Sequence, residues 1–229
     1  MNMAPAKPLL KPAPAKICGL KTDVDVAAAL DGGAAFLGFM IFGPSPRNVS
    51  PEAAGALAAP ARGRAGVVAV TVDADDALID RIMTGLAPDW LQLHGSETPA
   101  RAAELKRRTG AGIIRALRVG TAEDIAAARA FDGVADRMLY DARPPEGSIL
   151  PGGNGARFDW RLADAIPRDR DWFLAGGLTP DNVAEAIART GAPLLDVSSG
   201  VERAPGYKDA KLIRAFLDAV RGAAPQTVQ

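Results

Sequence analysis

The chain has 229 residues, 48% hydrophobic and 24% charged. That is enough apolar surface for one large core and excludes a wholly disordered chain. Lys and Arg together number 27, as do Asp and Glu, a balance that argues against general nucleic-acid or membrane-surface binding. The single cysteine excludes an internal disulfide and any multi-cysteine zinc site, and it fits a reducing compartment.

Residues 1–15 are rich in Ala, Pro and Lys, with Leu9-Leu10 as their apolar pair. A secretory signal needs an apolar stretch of about 7–15 residues, so these positions read as a flexible N-terminal arm and the expected location is cytoplasmic. No run approaches the ~18 apolar residues of a membrane span. Residues 16–224 read as the catalytic domain and 225–229 as a tail.

Short apolar runs then alternate with helical stripes. The run 16–18 is followed by Thr22 and Asp25, spaced as a capping box. The run 36–42 leads to Ser50-Pro51, an N-cap with proline at the first helical position, where the missing N–H costs nothing. Next come 66–72, then 90–94 with Thr98-Pro99, then 113–119 with Thr121 and Asp124. The run 137–141 opens onto fifteen residues, 142–156, with neither helix nor strand signal, a length that favours a functional lid. The run 172–175 leads to Thr179-Pro180. The run 194–197 precedes a final helix with Leu212, Ile213, Phe216, Leu217 and Val220 on one face.

Several of these runs are apolar without alternation, as strands buried on both faces require. Eight strand–helix units of about 27 residues predict a single-domain α/β protein, a (β/α)8 TIM barrel, with a doubly wound open sheet as the competitor.

In a barrel, chemistry sits at the C-terminal ends of the strands. There the sequence places Cys18, Arg47, Gln92, His94, Asp141, Gly176-Gly177 and Ser198-Ser199-Gly200. Each has a plain alternative. Cys18 is either a small buried residue or a thiolate base whose pKa nearby positive dipoles lower. Asp141 is either a cap or ion-pair carboxylate, or an acid whose pKa is raised by desolvation. His94, the one histidine, offers no metal-ligand spacing and either donates structurally or lines the pocket. Arg47 is either a surface residue or a fork for a substrate carboxylate. The glycine-rich ends make tight turns or cradle phosphate through close backbone N–H groups; barrels often place phosphate after strands seven and eight.

Taken in order, Lys16-Ile17-Cys18-Gly19-Leu20, Ser45-Pro46-Arg47, Gln92-Leu93-His94-Gly95 and Asp141-Ala142-Arg143 resemble the phosphoribosylanthranilate isomerase family of tryptophan biosynthesis. Pro151-Gly152-Gly153-Asn154-Gly155, Phe158-Asp159-Trp160, Leu174-Ala175-Gly176-Gly177-Leu178 and Asp196-Val197-Ser198-Ser199-Gly200-Val201-Glu202 extend the likeness to nearly the whole chain beyond the arm. The resemblance implies a (β/α)8 barrel and an Amadori rearrangement. N-(5-phosphoribosyl)anthranilate would become 1-(2-carboxyphenylamino)-1-deoxyribulose 5-phosphate, with no cofactor and no metal. It implies Cys18 as general base, Asp141 as general acid and Arg47 on the anthranilate carboxylate. Gly153, Asn154, Gly155, Gly176, Gly177, Ser198 and Ser199 would hold the phosphate, with Gln92, His94, Asp196 and Gly200 completing the substrate-binding set. Arg143 stands where the family often has lysine, so the positive charge is kept.

The expected partner is that small phosphorylated substrate, with no nucleic acid and no membrane, in a monomer or homodimer. Residues 144–155 would close over the labile imine. Two rivals remain. One is the histidine-pathway isomerase, which resembles a barrel with aspartates at both acid–base positions; Cys18 argues against it. The other is a non-catalytic phosphate-binding barrel, against which the intact Cys18 and Asp141 pair argues.

Overall fold

A computed structural model describes residues 13–143, 157–168 and 170–223. Eight parallel strands follow one another: β1 (Ala15–Cys18), β2 (Phe36–Met40), β3 (Gly66–Thr71), β4 (Trp90–Leu93), β5 (Gly112–Val119), β6 (Arg137–Ala142), β7 (Trp172–Leu174) and β8 (Leu194–Val197). Each pairs with the next, and β8 returns to β1 through Lys16↔Asp196 and its neighbours, so the sheet closes into the expected barrel. The alternation of side chains along each strand divides the core in two. Outward-facing Ile17, Leu37, Phe39, Val67, Ala69, Leu91, Ile113, Tyr140 and Leu195 pack beneath the helices. Inward-facing Phe36, Val68, Val70, Ile114, Leu139, Phe173 and Leu194 fill the lumen, with Cys18 above them.

The helices are α1 (Asp23–Asp31), α2 (Pro51–Ala58), α3 (Asp76–Gly85), α4 (Pro99–Thr109), α5 (Ala122–Ala126), α6 (Val183–Thr190) and α7 (Ala210–Gly222). Thr22, Ser50 and Thr98 accept hydrogen bonds from the N–H groups of Asp25, Ala53 and Arg101, as their sequence positions require. Asp124 reaches back to the N–H of Thr121 at 2.9 Å. The apolar face of α7 buries Ile213, Phe216, Leu217 and Val220.

Three expectations are corrected. Residues 13–15, read as part of the arm, belong to the barrel: Ala13 and Ala15 are buried and the Pro14 carbonyl accepts from Leu195 N–H. The sixth unit carries a 3-10 helix, Trp160–Ala165, in place of an α-helix. And α6 starts at Val183 with Asn182 at its cap, because Thr179 to Asn182 first forms a turn in which the Thr179 carbonyl accepts from both Asn182 and Val183. Residues 1–12 of the arm, most of the proposed lid (144–155) and the end of the chain from 224 lie outside the described residues. Among the described residues, no helix is long and apolar enough to cross a membrane.

Candidate active site

The barrel's C-terminal mouth is built from inward-facing strand ends. Lys16 and Cys18 come from β1, Gln92 and His94 from the end of β4, Asp141 from β6 and Asp196 from β8; all six are buried. Period-two geometry explains the grouping, since Lys16 and Cys18 are two residues apart and share a face, as do Gln92 and His94.

Asp141 is the titratable group best placed to change protonation near neutral pH. Burial raises its pKa to about 7, helped by the nearby Asp196 carboxylate and opposed by the Ala142 N–H bond at 2.9 Å and by Lys16. The upward direction and its cause, desolvation, are those the sequence reading expected of this carboxyl group. Gly176, at φ 84°, passes so close that a Cβ there would lie 3.2 Å from Asp141 Oδ1 and 2.7 Å from the Ala142 nitrogen.

Cys18 departs from expectation in one respect. Dipoles were expected to lower its pKa, but burial pushes it up; the Lys16 ammonium opposes that rise and Asp196 adds to it. Lys16 is completely buried and its Nζ lies 2.8 Å from Asp196 Oδ1. Burial works against the Lys16 charge, yet Asp196 and Cys18 hold its pKa above the ordinary lysine value.

His94 is a neutral ring. Burial, reinforced by Lys16, Arg118 and Arg115, lowers its pKa to about 3. Its Nδ1 lies 3.4 Å from Gln92 Nε2. Gln92 Oε1 and His94 Nε2 are buried without a hydrogen-bond partner, so the mouth presents two polar atoms whose desolvation nothing in the described structure offsets.

Arg47 is buried and reaches the mouth over Gly19, whose φ of 80° and missing Cβ let the arginine stem pass. Its fork lies on Glu202, with Nε on Oε1 and Nη2 on Oε2, each at 2.8 Å. Lys208 Nζ bonds the same carboxylate at 2.8 Å and the Ser198 carbonyl at 2.9 Å. Burial raises the Glu202 pKa, but Arg47 and Lys208 bring it below the ordinary carboxylate value. Glu202 and Lys208 sit on a hairpin, β9 (Glu202–Ala204) and β10 (Tyr207–Lys208), that the sequence reading did not contain.

The candidate phosphate loops adjoin. Gly176 and Gly177 both have positive φ. Asn182 pins this loop, its Nδ2 donating to the Gly177 carbonyl at 2.9 Å while its Oδ1 accepts from Thr179 N–H. After β8, Ser198 Oγ donates to the Cys18 carbonyl at 3.1 Å, and Ser199–Val201 forms the short extra helix expected there. At Gly200 a Cβ would lie 1.8 Å from the Leu178 carbonyl oxygen, so the two loops touch backbone to backbone. Gly153, Asn154 and Gly155 lie outside the described residues.

Sequence reasoning missed Lys16, Glu202, Lys208, Asn182 and Arg115. The Arg115 guanidinium donates to the Leu93 and Gly95 carbonyls flanking His94 and pairs with Glu97 at 2.9 Å. Strand parity with Cys18 was a signal for Lys16; Glu202 meets Arg47 from far away in sequence, whereas Asn182 bonds Thr179 and Gly177 within its own loop.

Residues 15–219 match the model of a family described as N-(5'phosphoribosyl)anthranilate (PRA) isomerase. A relative from Caulobacter vibrioides, N-(5'-phosphoribosyl)anthranilate isomerase, is 60% identical over 211 residues, covering 91% of this chain and 96% of the relative. The crystal structure of phosphoribosyl anthranilate isomerase from Thermus thermophilus is similar with a TM-score of 0.78 at 30% identity, covering 91% of this chain and 98% of that one. A phosphoribosyl anthranilate isomerase in complex with reduced 1-(o-carboxyphenylamino)-1-deoxyribulose 5-phosphate gives 0.77 at 28% identity, covering 92% and 99%.

Proposed function

The chain belongs to the N-(5'-phosphoribosyl)anthranilate isomerase family, and from that premise we propose which of its residues do the work. It is an isomerase of tryptophan biosynthesis that carries out an aldose–ketose rearrangement. In our reading Asp141, protonated, donates to the ring oxygen of the ribosyl amine and opens the ring to an imine. The cationic imine draws electrons and acidifies the neighbouring C2′–H. Cys18, as thiolate, takes that proton, and the resulting enolamine tautomerises to the ketone. The substrate supplies its own electron sink.

The observation that carries this reading is a carboxyl group with a pKa of about 7 and a buried thiol, both acted on by one shared ion pair, Lys16–Asp196. Each positioned proton transfer is worth about 10²–10⁴-fold. The phosphate goes to the Gly176-Gly177 and Ser198-Ser199 loops, with Gly153, Asn154 and Gly155 from the lid, and the anthranilate carboxylate to Arg47. Gln92, His94, Asp196 and Gly200 complete the pocket. Holding both ends fixes C2′ between base and acid. We assign the enzyme to the cytoplasm, where its one thiol stays reduced.

The test is turnover of phosphoribosylanthranilate, followed by loss of anthranilate fluorescence with indoleglycerol-phosphate synthase consuming the product. Cys18→Ser and Asp141→Asn should each nearly abolish kcat with the fold intact. Retention of more than about a tenth of the wild-type kcat would remove the assigned role.

A further inference from the structure

Lys16 is a long cationic side chain buried without any exposure on the barrel's inner face. It stands two residues before Cys18 and so points the same way. Its ammonium reaches across to β8, 2.8 Å from Asp196 Oδ1. Room for its tip comes from β2. Gly38 is the register partner of Cys18, and a Cβ at Gly38 would lie 2.9 Å from Lys16 Cε, 3.0 Å from Lys16 Nζ and 3.1 Å from Cys18 Cα. The missing side chain of Gly38 therefore marks a spot bordered at once by the ammonium and by the cysteine backbone.

Stability does not account for this arrangement. Burying two ions costs several kcal/mol each, and an apolar pair of the same shape usually serves a fold as well or better. What the site does need is positive charge beside the sulfur. Three charged groups act on Cys18: Lys16 from β1, Asp196 from β8 and Lys208 from β10. Asp196 alone would disfavour negative charge on the thiol. Lys208 is already shared between Glu202 and the Ser198 carbonyl.

We propose that Lys16 is a positioning residue for the rearrangement: its buried ammonium, held by Asp196 and by the gap at Gly38, lets the Cys18 sulfur carry negative charge and receive the substrate proton. This rests on the reading of Cys18 as the base. In the step itself the C2′–H bond breaks and an S–H bond forms. The C–H electron pair becomes the new C1′–C2′ double bond, and the imine nitrogen loses its charge. Lys16 keeps its own proton throughout and touches no reacting atom.

Because Cys18 is the only cysteine, the pH dependence of iodoacetamide alkylation, together with ultraviolet thiolate absorbance, reads this one sulfur with no substrate present. We compare the full-length wild type with Lys16→Met and with Lys16→Met/Asp196→Asn. The double variant removes the Asp196 carboxylate that Lys16→Met leaves unpaired, and it carries the test should the single variant fail to fold. The expected result is a thiol titration moved upward by about one pH unit or more in both, hence alkylation about tenfold slower below the midpoint. In Lys16→Met, kcat should fall about tenfold or more at neutral pH, with KM nearly unchanged and part of the loss recovered as pH rises. An unchanged thiol titration in both variants would overturn the proposal. Full turnover by Cys18→Ser would instead overturn the base assignment, whatever the titrations show, so the two failures are distinguishable.

Discussion

His94 Nε2 stands 3.6 Å from Asp141 Oδ2, and the two do not form an ion pair. The distance is too long for a hydrogen bond, and burial keeps the imidazole neutral, with a pKa of about 3. Asp141 thus has an aromatic nitrogen beside it that supplies no charge, and its carboxyl group keeps a pKa of about 7.

The first prediction concerns pH. The acid, at about 7, titrates below a thiol that burial has pushed above its ordinary value. In the proposed mechanism the productive enzyme carries the thiolate and the protonated carboxyl together, so it is a minority form. Below about pH 7 it grows as thiolate appears; above the thiol pKa it falls as the carboxyl group empties. The kcat/KM profile should rise to a plateau beginning near pH 7 and decline only in the alkaline range, with no limb from His94 near 6.5. A decline starting at or below pH 7 would contradict this order of ionisation.

Asp141 should weaken the fold that it serves. A carboxyl group whose native pKa is raised contributes most at pH below its unfolded value, 3.8, and that contribution is lost as pH rises through about 7. Asp141→Asn should therefore stabilise the protein at pH 8, by on the order of 2–4 kcal/mol, and have little effect at pH 4. Thermal melts of both proteins at the two pH values check it; an equal shift at both would refute the linkage.

Arg47 and Glu202 make separable predictions. Arg47→Ala should raise KM about tenfold or more with a smaller change in kcat, since it removes a carboxylate fork and no reacting group. Glu202→Gln leaves Arg47 and Lys208 as two buried cations without their shared anion, and should cost about 3–5 kcal/mol of stability. Denaturant melts and initial rates at varied substrate concentration distinguish the two effects.

Gly200→Ala should damage phosphate binding. Its Cβ would meet the Leu178 carbonyl oxygen at 1.8 Å, backbone against backbone, so one of the two loops must move. We expect KM to rise about tenfold and inhibition by inorganic phosphate to weaken in parallel. Gly43→Ala is the control, because a Cβ there meets nothing within 4 Å. Equal KM values for the two variants would remove the phosphate role from this loop contact.

The fold was legible in the sequence where chemistry is local. Buried strands show as continuous apolar runs, and Ser50-Pro51 and Thr98-Pro99 announce helices through bonds spanning three residues. Cys18, His94 and Asp141 could be placed at the mouth by counting strands. Partnerships across the closed sheet could not be read this way. Lys16 meets Asp196 across 180 residues and Arg47 meets Glu202 across 155, separations at which no periodicity carries information. Thr179-Pro180 misled for a different reason: the Asn182 side chain bonds back into the loop and delays the helix to Val183.

The seam between β1 and β8 has a consequence for how the protein comes into being. The thiol and Lys16 leave the ribosome long before Asp196, the carboxylate that completes the lysine's ion pair. A nascent chain on the ribosome therefore holds a latent nucleophile, and competence arrives all at once when the last staves lock against the first. By the same logic, joining the old ends and cutting open a helical loop elsewhere should yield a working permutant, provided the ring can still zip shut.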